Sequence, residues 1–250
     1  MGPDFIVQKM KAIHQTIFKP VFGRWNTTVA ENRQPNFQEW SGSFGPYFKN
    51  IPLMFSLFLI GSIVLFKKAF NAIKSKDAWI LTAGYISFIV GIIYSRYSSE
   101  SIFNGENLIS KLFYYLSLLV FLFIIIKYYI IYYKKEDNSF SEVRYEYLLL
   151  FSLFIVNLFT VRGAVRLIMV LGPIASIFVG FLIIEIIDKY FKTKEETWKI
   201  LIGICAILIL IASVYTFYNF YQDISIQSYS FVPSAYNIQW QKAMEWVRSN

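Results

Sequence analysis

Cysteine and histidine are almost absent from this sequence, which has one of each in 250 residues. The single cysteine, Cys205, lies inside a long apolar run. No disulfide can therefore form within the chain, and packing is its predicted role. The single histidine, His14, has no histidine or cysteine near it in the sequence. General-base chemistry and a zinc site are therefore not predicted, because both depend on these residue types in suitable groups.

Charged residues are missing from the centres of the apolar runs and lie between them. Apolar residues make up 56% of the chain, only slightly more than in a soluble domain, so their distribution decides the class. A helix needs roughly 20 apolar residues to cross the ~30 Å hydrocarbon core. The runs predict an all-α, polytopic transmembrane helical bundle of about six spans: Tyr47–Phe66, Ala78–Tyr94, Leu112–Tyr133, Tyr145–Thr160, Leu167–Ile187 and Trp198–Tyr218. Apolar span centres argue against a transporter.

Lysine is concentrated in the loops that follow the first, third and fifth predicted spans. This distribution explains the net charge of +8 by the positive-inside rule, so a nucleic-acid partner is not predicted. The three lysine-rich loops are placed in the cytoplasm. Residues 1–46, the loops near 95–111 and 161–166, and the tail from Phe220 onward then share the extracytoplasmic side. The predicted location is the cell membrane, with several passes.

The chain divides into three predicted parts. Residues 1–46 form an extracytoplasmic loop that begins with an amphipathic helix, because Ile6, Met10 and Ile13 recur at helical spacing. Residues 47–219 form the transmembrane domain, and residues 220–250 begin an extracytoplasmic C-terminal domain. The first twenty residues supply neither a signal peptide nor a span that could translocate this loop. We therefore expect earlier spans before Met1 and a continuation beyond Asn250, with the chain as a central fragment.

Two segments on the predicted outer side carry motifs. In the first, Thr28-Val29-Ala30-Glu31 is followed by Gln34-Pro35, and in the second, Val161-Arg-Gly-Ala-Val-Arg166-Leu leads into an apolar run and a proline. The first resembles the SVSE/TIxE motif in the fifth extracytoplasmic loop of oligosaccharyltransferase catalytic subunits, the archaeal type most closely. The second resembles that family's arginine at the outer mouth of a late span. Residues 240–250 resemble the stretch before its WWDYG signature.

The resemblance implies a multi-span, lipid-phosphosugar glycosyltransferase fold and protein N-glycosylation. A glycan would pass from a lipid-linked (pyro)phosphate donor in the membrane lipid to asparagine of Asn-X-Ser/Thr in an acceptor polypeptide. By analogy, Glu31 would contact the acceptor amide and a divalent cation, Mg or Mn, and Thr28 would help to bind substrate. Arg166 would bind the donor phosphate, since a guanidinium stays charged and binds phosphate oxygens in pairs. The active side would be extracytoplasmic.

The sequence departs from the family's pattern in three ways. The first-loop acidic motif that supplies the other metal ligands is absent, and so is WWDYG. The family has one hairpin of spans between the two outer motifs, whereas four spans are predicted here, so residues 67–160 are not aligned with it. With the remaining metal ligands outside this chain, the chain alone is predicted to be inactive.

Other interpretations stay open at this point. The chain could be another lipid-phosphosugar-dependent membrane glycosyltransferase, acting on lipids or hydroxyl groups, or a non-catalytic membrane scaffold. Glu31 could be a solvated loop acid, and Arg166 a charge that anchors the fifth span at the interface. The same anchoring role is predicted for Arg162. Glu185 and Asp188, near the cytoplasmic end of the fifth span, are predicted to pair with a neighbouring lysine.

Overall fold

The structure is a computed structural model that describes residues 3–18, 33–45, 47–48, 50–230 and 238–249. Within these ranges every regular element is helical and no strand is present, which confirms the all-α prediction. The helices are α1 (Pro3–Phe18), α2 (Phe37–Gly42), α3 (Leu53–Ala69), α4 (Ser75–Tyr94), α5 (Leu108–Lys134), α6 (Tyr145–Gly163), α7 (Leu171–Lys192), α8 (Glu196–Ser230) and α9 (Ile238–Ser249). Short 3₁₀ helices cover Asn138–Phe140 and Val165–Val170.

Five helical segments have the length and apolar composition to cross a membrane. They are α4, α5, α6, α7 with the 3₁₀ turn before it, and α8 to Tyr229. These segments support a multi-pass membrane protein. The first of the six predicted spans corresponds to α3, which has 17 residues and a length of about 26 Å. Its length is at the lower limit for a span, so five of the six predicted spans are supported.

Helix α3 is the centre of the bundle and packs against α4, α7 and α8. Its Phe58 is fully buried between Phe154 of α6 and Phe178 of α7, with ring centroids 5.6 and 5.9 Å away. Near its other end, Phe66 stacks on Tyr85 of α4 at 4.1 Å. Burial of such large rings is the main source of stability in this core. In contrast, α8 exposes most of its apolar side chains, as expected of a helix that faces lipid.

The N-terminal helix agrees in part with the sequence interpretation. Helix α1 is the amphipathic helix expected there, and its Ile6, Met10 and Ile13 are exposed. His14 has a partner that the sequence did not indicate, because its Nδ1 lies 2.9 Å from the Tyr115 hydroxyl of α5. This hydrogen bond joins the end of α1 to the bundle. The limits of the three predicted domains remain predictions.

The bundle has two ends with different charged residues. One end, the arginine face, comprises residues 33–45, the loop 95–107 and residues 162–170, and it carries Arg33, Arg96, Arg162 and Arg166. The other end, the lysine face, comprises the connections 70–74, 135–144 and 193–195 with the helix ends beside them. The helices alternate in direction between these two ends. The loops that the lysine pattern placed together therefore lie at the same end of the bundle.

A charge pair joins α3 and α7 near the lysine face. Glu185 pairs with Lys68, which precedes it by 117 positions, and not with a neighbouring lysine as the sequence suggested. The Lys68 ammonium also lies 5.2 Å from the ring centroid of Phe181. Asp188 does pair locally, with Lys192 one turn later at 2.6 Å. The Glu185 side chain is 13% exposed and that of Asp188 is 42% exposed, so the two pairs differ in solvent screening.

Neutralising Glu185 is therefore expected to destabilise the bundle more than neutralising Asp188. We expect Glu185→Gln to lower the free energy of unfolding by about 1–2 kcal/mol, because it leaves a partly buried ammonium without its counter-charge. The matched substitution Asp188→Asn should cost less than about 0.5 kcal/mol, the usual contribution of an exposed pair. Thermal unfolding of both variants in detergent measures the difference. Equal losses would show that the Lys68 pair is screened as fully as the surface pair.

Candidate functional site

The segment after the Thr28–Glu31 motif is held in place by the cap of α2. The Asn36 side-chain oxygen accepts a hydrogen bond from the Glu39 N–H, and the Glu39 carboxylate accepts one from the Asn36 N–H, both at 2.9 Å. This reciprocal capping box satisfies two donors of the first turn. The next residue, Trp40, is fully buried and anchors the short helix in the core.

Glu39 also orders Arg33. Both guanidinium NH₂ nitrogens of Arg33 donate to the Glu39 carboxylate, one of them at 3.0 Å and the other in a short contact. Two parallel hydrogen bonds fix the orientation of a guanidinium as well as its position. One carboxylate therefore caps α2 and holds the arginine that lies two residues after Glu31 in the sequence.

A backbone hydrogen bond joins the two segments that carry the motifs. The Val165 N–H donates to the Arg33 carbonyl oxygen at 2.9 Å, although the two residues are far apart in the sequence. Val165 begins the 3₁₀ helix Val165–Val170, and Arg166 is its second residue. The chain after the first motif thus contacts the chain that carries the predicted phosphate-binding arginine.

The loop 95–107 supplies a third arginine. One Arg96 nitrogen donates to the Gln34 side-chain oxygen at 3.3 Å, and Gln34 is fully buried. Burial lowers the pKa of Arg96, and the Glu106 carboxylate acts in the opposite direction. Gly105 has φ +85°, and a Cβ there would lie 2.7 Å from the same Gln34 oxygen. A larger residue at 105 would therefore disturb the contact between Arg96 and Gln34.

Arg162 lies in the last turn of α6, and its side chain is completely buried. Its guanidinium carbon is 5.4 Å from the ring centroid of Tyr114 in α5, within range of a cation–π interaction. An arginine that anchors a span must reach the lipid headgroups. Full burial excludes this, so the anchoring role predicted for Arg162 is wrong. Buried charges within spans are costly and commonly mark functional sites.

Arg166, in contrast, is exposed where the chain enters α7. It can therefore contact an anion at the membrane surface. The other two predicted site residues, Thr28 and Glu31, lie outside the residues that the structure describes. Arg33 and Arg96 were not among the predicted site residues, because their contacts with Glu39 and Gln34 could not be recognised from spacing.

The arginine face has the chemistry of an anion-binding surface. It carries four arginines in different environments: Arg166 is exposed, Arg33 is paired with Glu39, Arg96 contacts Gln34 and Arg162 is buried. Arg162 lies close enough to Arg96 to be affected by its charge. Grouped guanidinium groups of this kind favour phosphate, because they stay charged and donate several hydrogen bonds in one plane.

A divalent cation was expected from the resemblance, with Glu31 as one ligand. Among the described residues no group of three histidine, cysteine, aspartate or glutamate side chains could hold a metal ion. Glu39, the carboxylate nearest to the motif segment in the described chain, is already bound by Arg33. The predicted metal ligand, Glu31, lies outside the described residues, and the metal site remains a prediction. Comparison with known proteins found no matching family model, no matching curated protein and no matching solved structure.

Proposed function

We propose that this protein provides the lipid-phosphate-binding face of a membrane glycosyltransferase of the oligosaccharyltransferase type. Such an enzyme transfers a glycan from a lipid-linked (pyro)phosphate to asparagine in Asn-X-Ser/Thr. The observation that carries the proposal is the hydrogen bond from the Val165 N–H to the Arg33 carbonyl oxygen. It joins the segment that follows Glu31 to the segment that carries Arg166, and these are the two segments on which the resemblance rests.

The position of Arg166 suits a donor that is held in the bilayer. The lipid part of such a donor lies among the apolar helices, and its phosphate lies at the membrane surface. Arg166 is exposed at the start of α7, where the apolar span meets the arginine face. A guanidinium there can neutralise charge that develops on the leaving phosphate, a contribution that strengthens as the glycosidic bond breaks. Arg96 adds to the positive field at this face, whereas the charge of Arg33 is balanced by its ion pair with Glu39.

The acceptor side of the proposal concerns Glu31 and Thr28. An asparagine amide nitrogen is a poor nucleophile because its lone pair is delocalised into the carbonyl group. A carboxylate that accepts hydrogen bonds from this amide favours the form in which the lone pair is available for attack. We assign this role to Glu31, which precedes Arg33 by two residues, and we assign acceptor binding to Thr28. The active side is then extracytoplasmic.

The donor half of the proposal is tested by binding. The chain is placed in nanodiscs, and the affinity for a polyprenyl phosphate is measured with Arg166→Ala and with the control Arg144→Ala. Arg144 is an exposed arginine on the lysine face, so it matches Arg166 in type and exposure. We expect Arg166→Ala to weaken binding about fivefold, the effect of one exposed charged contact, and Arg144→Ala to change nothing. Equal affinities for the wild type and both variants would overturn the phosphate assignment.

The acceptor half is tested by photo-crosslinking. A peptide that contains Asn-Ala-Thr and a photoreactive group is compared with the matched Gln-Ala-Thr peptide. We expect the asparagine peptide to label residues 25–40 preferentially, because Glu31 and Thr28 lie in this segment. Equal labelling by both peptides would favour the alternative function, a lipid-phosphosugar-dependent glycosyltransferase with a lipid or hydroxyl acceptor. No labelling by either, together with no donor binding, would favour a scaffold.

A further inference from the structure

An apolar groove runs between α5 and α6 on the lysine-face half of the bundle and opens towards the bilayer. One wall includes Leu122 and Ile126 of α5, and the other includes Leu148 and Ser152 of α6. The groove has a volume of about 400 Å³. Phe66 of α3 lies at its back. Leu122, Ile126 and Leu148 are 43–54% exposed, so this side of the groove is accessible to a lipid chain.

Phe140 lines the groove at its lysine-face end. Its ring packs edge-on against Phe70 and Tyr129, with centroids 5.7 Å away in both cases. Tyr132 contacts the same ring at 5.7 Å, and its hydroxyl donates to the Asp77 carboxylate at 2.9 Å. These aromatic contacts hold the Phe140 ring in place at this end of the groove. An acyl chain can enter the groove from the bilayer side, where Leu122 and Ile126 are exposed.

A polar cup of about 600 Å³ lies on the other side of Phe140, and it shares Tyr129 and Phe140 with the groove. The cup is lined by Tyr133, Lys134, Glu136 and other residues of the α5–α6 connection. The rings of Tyr129 and Tyr133 stack at 6.2 Å and are both more than half exposed. An aromatic pair beside a carboxylate is a favourable environment for an ammonium group.

The cup contains charges of both signs. Glu136 and Asp137 are its acids and Lys134 is its base. The Ser139 hydroxyl and backbone N–H both donate to Asp137 and hold the pKa of that carboxyl below its usual value. Lys135 lies near enough to act on the same carboxyl. A headgroup with one phosphate and one ammonium matches this arrangement, with the phosphate at the lysines and the ammonium at the acids and tyrosines.

We propose that the groove and cup together bind one glycerophospholipid of the leaflet on the lysine side, with a zwitterionic ethanolamine headgroup. One acyl chain lies in the groove between α5 and α6, and the headgroup lies in the cup. The two cavities adjoin at Tyr129 and Phe140, which line both of them, and this adjacency carries the inference. The site lies at the end of the bundle opposite the arginine face, so the inference does not depend on the proposed glycosyltransferase function.

A preference for one headgroup distinguishes this site from a general lipid-facing surface. An anionic headgroup without an ammonium would leave Glu136 and Asp137 next to negative charge, which is unfavourable. A choline headgroup retains the positive charge but cannot donate hydrogen bonds to the carboxylates. Ethanolamine provides both, and we therefore expect it to be preferred over choline and glycerol headgroups.

Native mass spectrometry of the detergent-purified chain tests the inference. Phosphatidylethanolamine, phosphatidylcholine and phosphatidylglycerol with identical acyl chains are offered in equal amounts. We expect one retained phosphatidylethanolamine per chain. Ser152→Phe should reduce its retention about tenfold by filling the groove, whereas Gly180→Phe should not change it. Gly180 is the matched control because a Cβ there meets no atom within 4 Å. Preferential retention of phosphatidylglycerol would overturn the headgroup assignment.

A second measurement begins with the wild-type chain, so its labelling result does not depend on how a variant folds. Phosphatidylethanolamine with a diazirine on one acyl chain is photolysed with the wild-type chain in nanodiscs. We expect labelling to concentrate on residues 121–129 and 147–155. Labelling spread over α8, whose apolar side chains are the most exposed of the long helices, would indicate general bilayer contact and overturn the site. Glu136→Gln should remove the preference for ethanolamine over choline while acyl-chain labelling continues. An unchanged preference would contradict the role of the cup.

Discussion

Gly61→Ala is expected to lower the free energy of unfolding by about 3 kcal/mol, although alanine is normally the better helix former by about 1 kcal/mol. A Cβ at Gly61 of α3 would lie 2.3 Å from the carbonyl oxygen of Phe178 and 2.8 Å from its carbonyl carbon in α7. Both atoms belong to the backbone, so no side-chain rotation can relieve the contact. The central helix and α7 would have to separate, and the packing of Phe58 against Phe178 would be lost with them.

The control for this prediction is Gly180→Ala. Gly180 lies in α7, two residues after Phe178, and a Cβ there meets no atom within 4 Å. The same substitution should therefore be neutral or stabilising by up to about 1 kcal/mol, because only helix propensity acts. Thermal unfolding in detergent, followed by circular dichroism, measures both variants. Similar melting temperatures for the two would contradict the close approach of α3 and α7.

The membrane-spanning architecture was predictable because bilayer spans need long runs without charge, and such runs are visible in any sequence. The predicted ends of the spans agree less well with the ends of the helices. The first span was expected from Tyr47, but α3 begins at Leu53, after Pro52 and a turn in which Asn50 has φ 72°. The last was expected to end at Tyr218, but α8 continues to Ser230. Polar residues end a span without ending its helix, because water satisfies their side chains.

The arginine face was predictable only in part. The alternation of lysine-rich loops correctly brought the segments around Arg33, Arg96 and Arg166 to one end of the bundle. The difference between Arg162 and Arg166 could not be predicted. Helix α6 ends at Gly163, Ala164 has an extended backbone, and the 3₁₀ helix begins at Val165, so a single residue separates the two elements that carry these arginines. Arg162 is buried in the core, whereas Arg166 is exposed at the surface. This difference follows from the direction of the chain at each position, which the residue types alone do not reveal.

The partner of Glu185 illustrates the same limit. A nearby lysine in the sequence suggested a local pair, which is the most frequent arrangement on an exposed helix surface. The structure instead pairs Glu185 with Lys68 across α3 and α7. Glu185 can pair with Lys68 only because α3 and α7 pack side by side in the bundle. Which helices pack together cannot be inferred from the residues next to Glu185 in the sequence. Local patterns could place the charges at one end of the bundle but could not assign the pairs.

Val165→Pro is expected to weaken polyprenyl phosphate binding about tenfold while the fold is retained. The substitution removes the one N–H that donates to the Arg33 carbonyl oxygen at 2.9 Å. Proline suits this position otherwise, because Val165 begins a 3₁₀ helix and the preceding Ala164 is extended, with φ −154° and ψ 124°. Losing the bond frees the 3₁₀ turn that carries Arg166 from the segment at Arg33, so the Arg166 guanidinium is no longer held in one position for the phosphate.

Val165→Ala is the matched control, since it shortens the side chain but keeps the N–H. Binding of polyprenyl phosphate in nanodiscs and the melting temperature in detergent are measured for both variants. A loss of binding with Val165→Pro alone would show that the backbone bond organises the phosphate site. Equal losses with both would assign the effect to side-chain packing. Unchanged binding with Val165→Pro would mean that Arg166 acts without the segment at Arg33, and the proposed link between the two motif segments would be wrong.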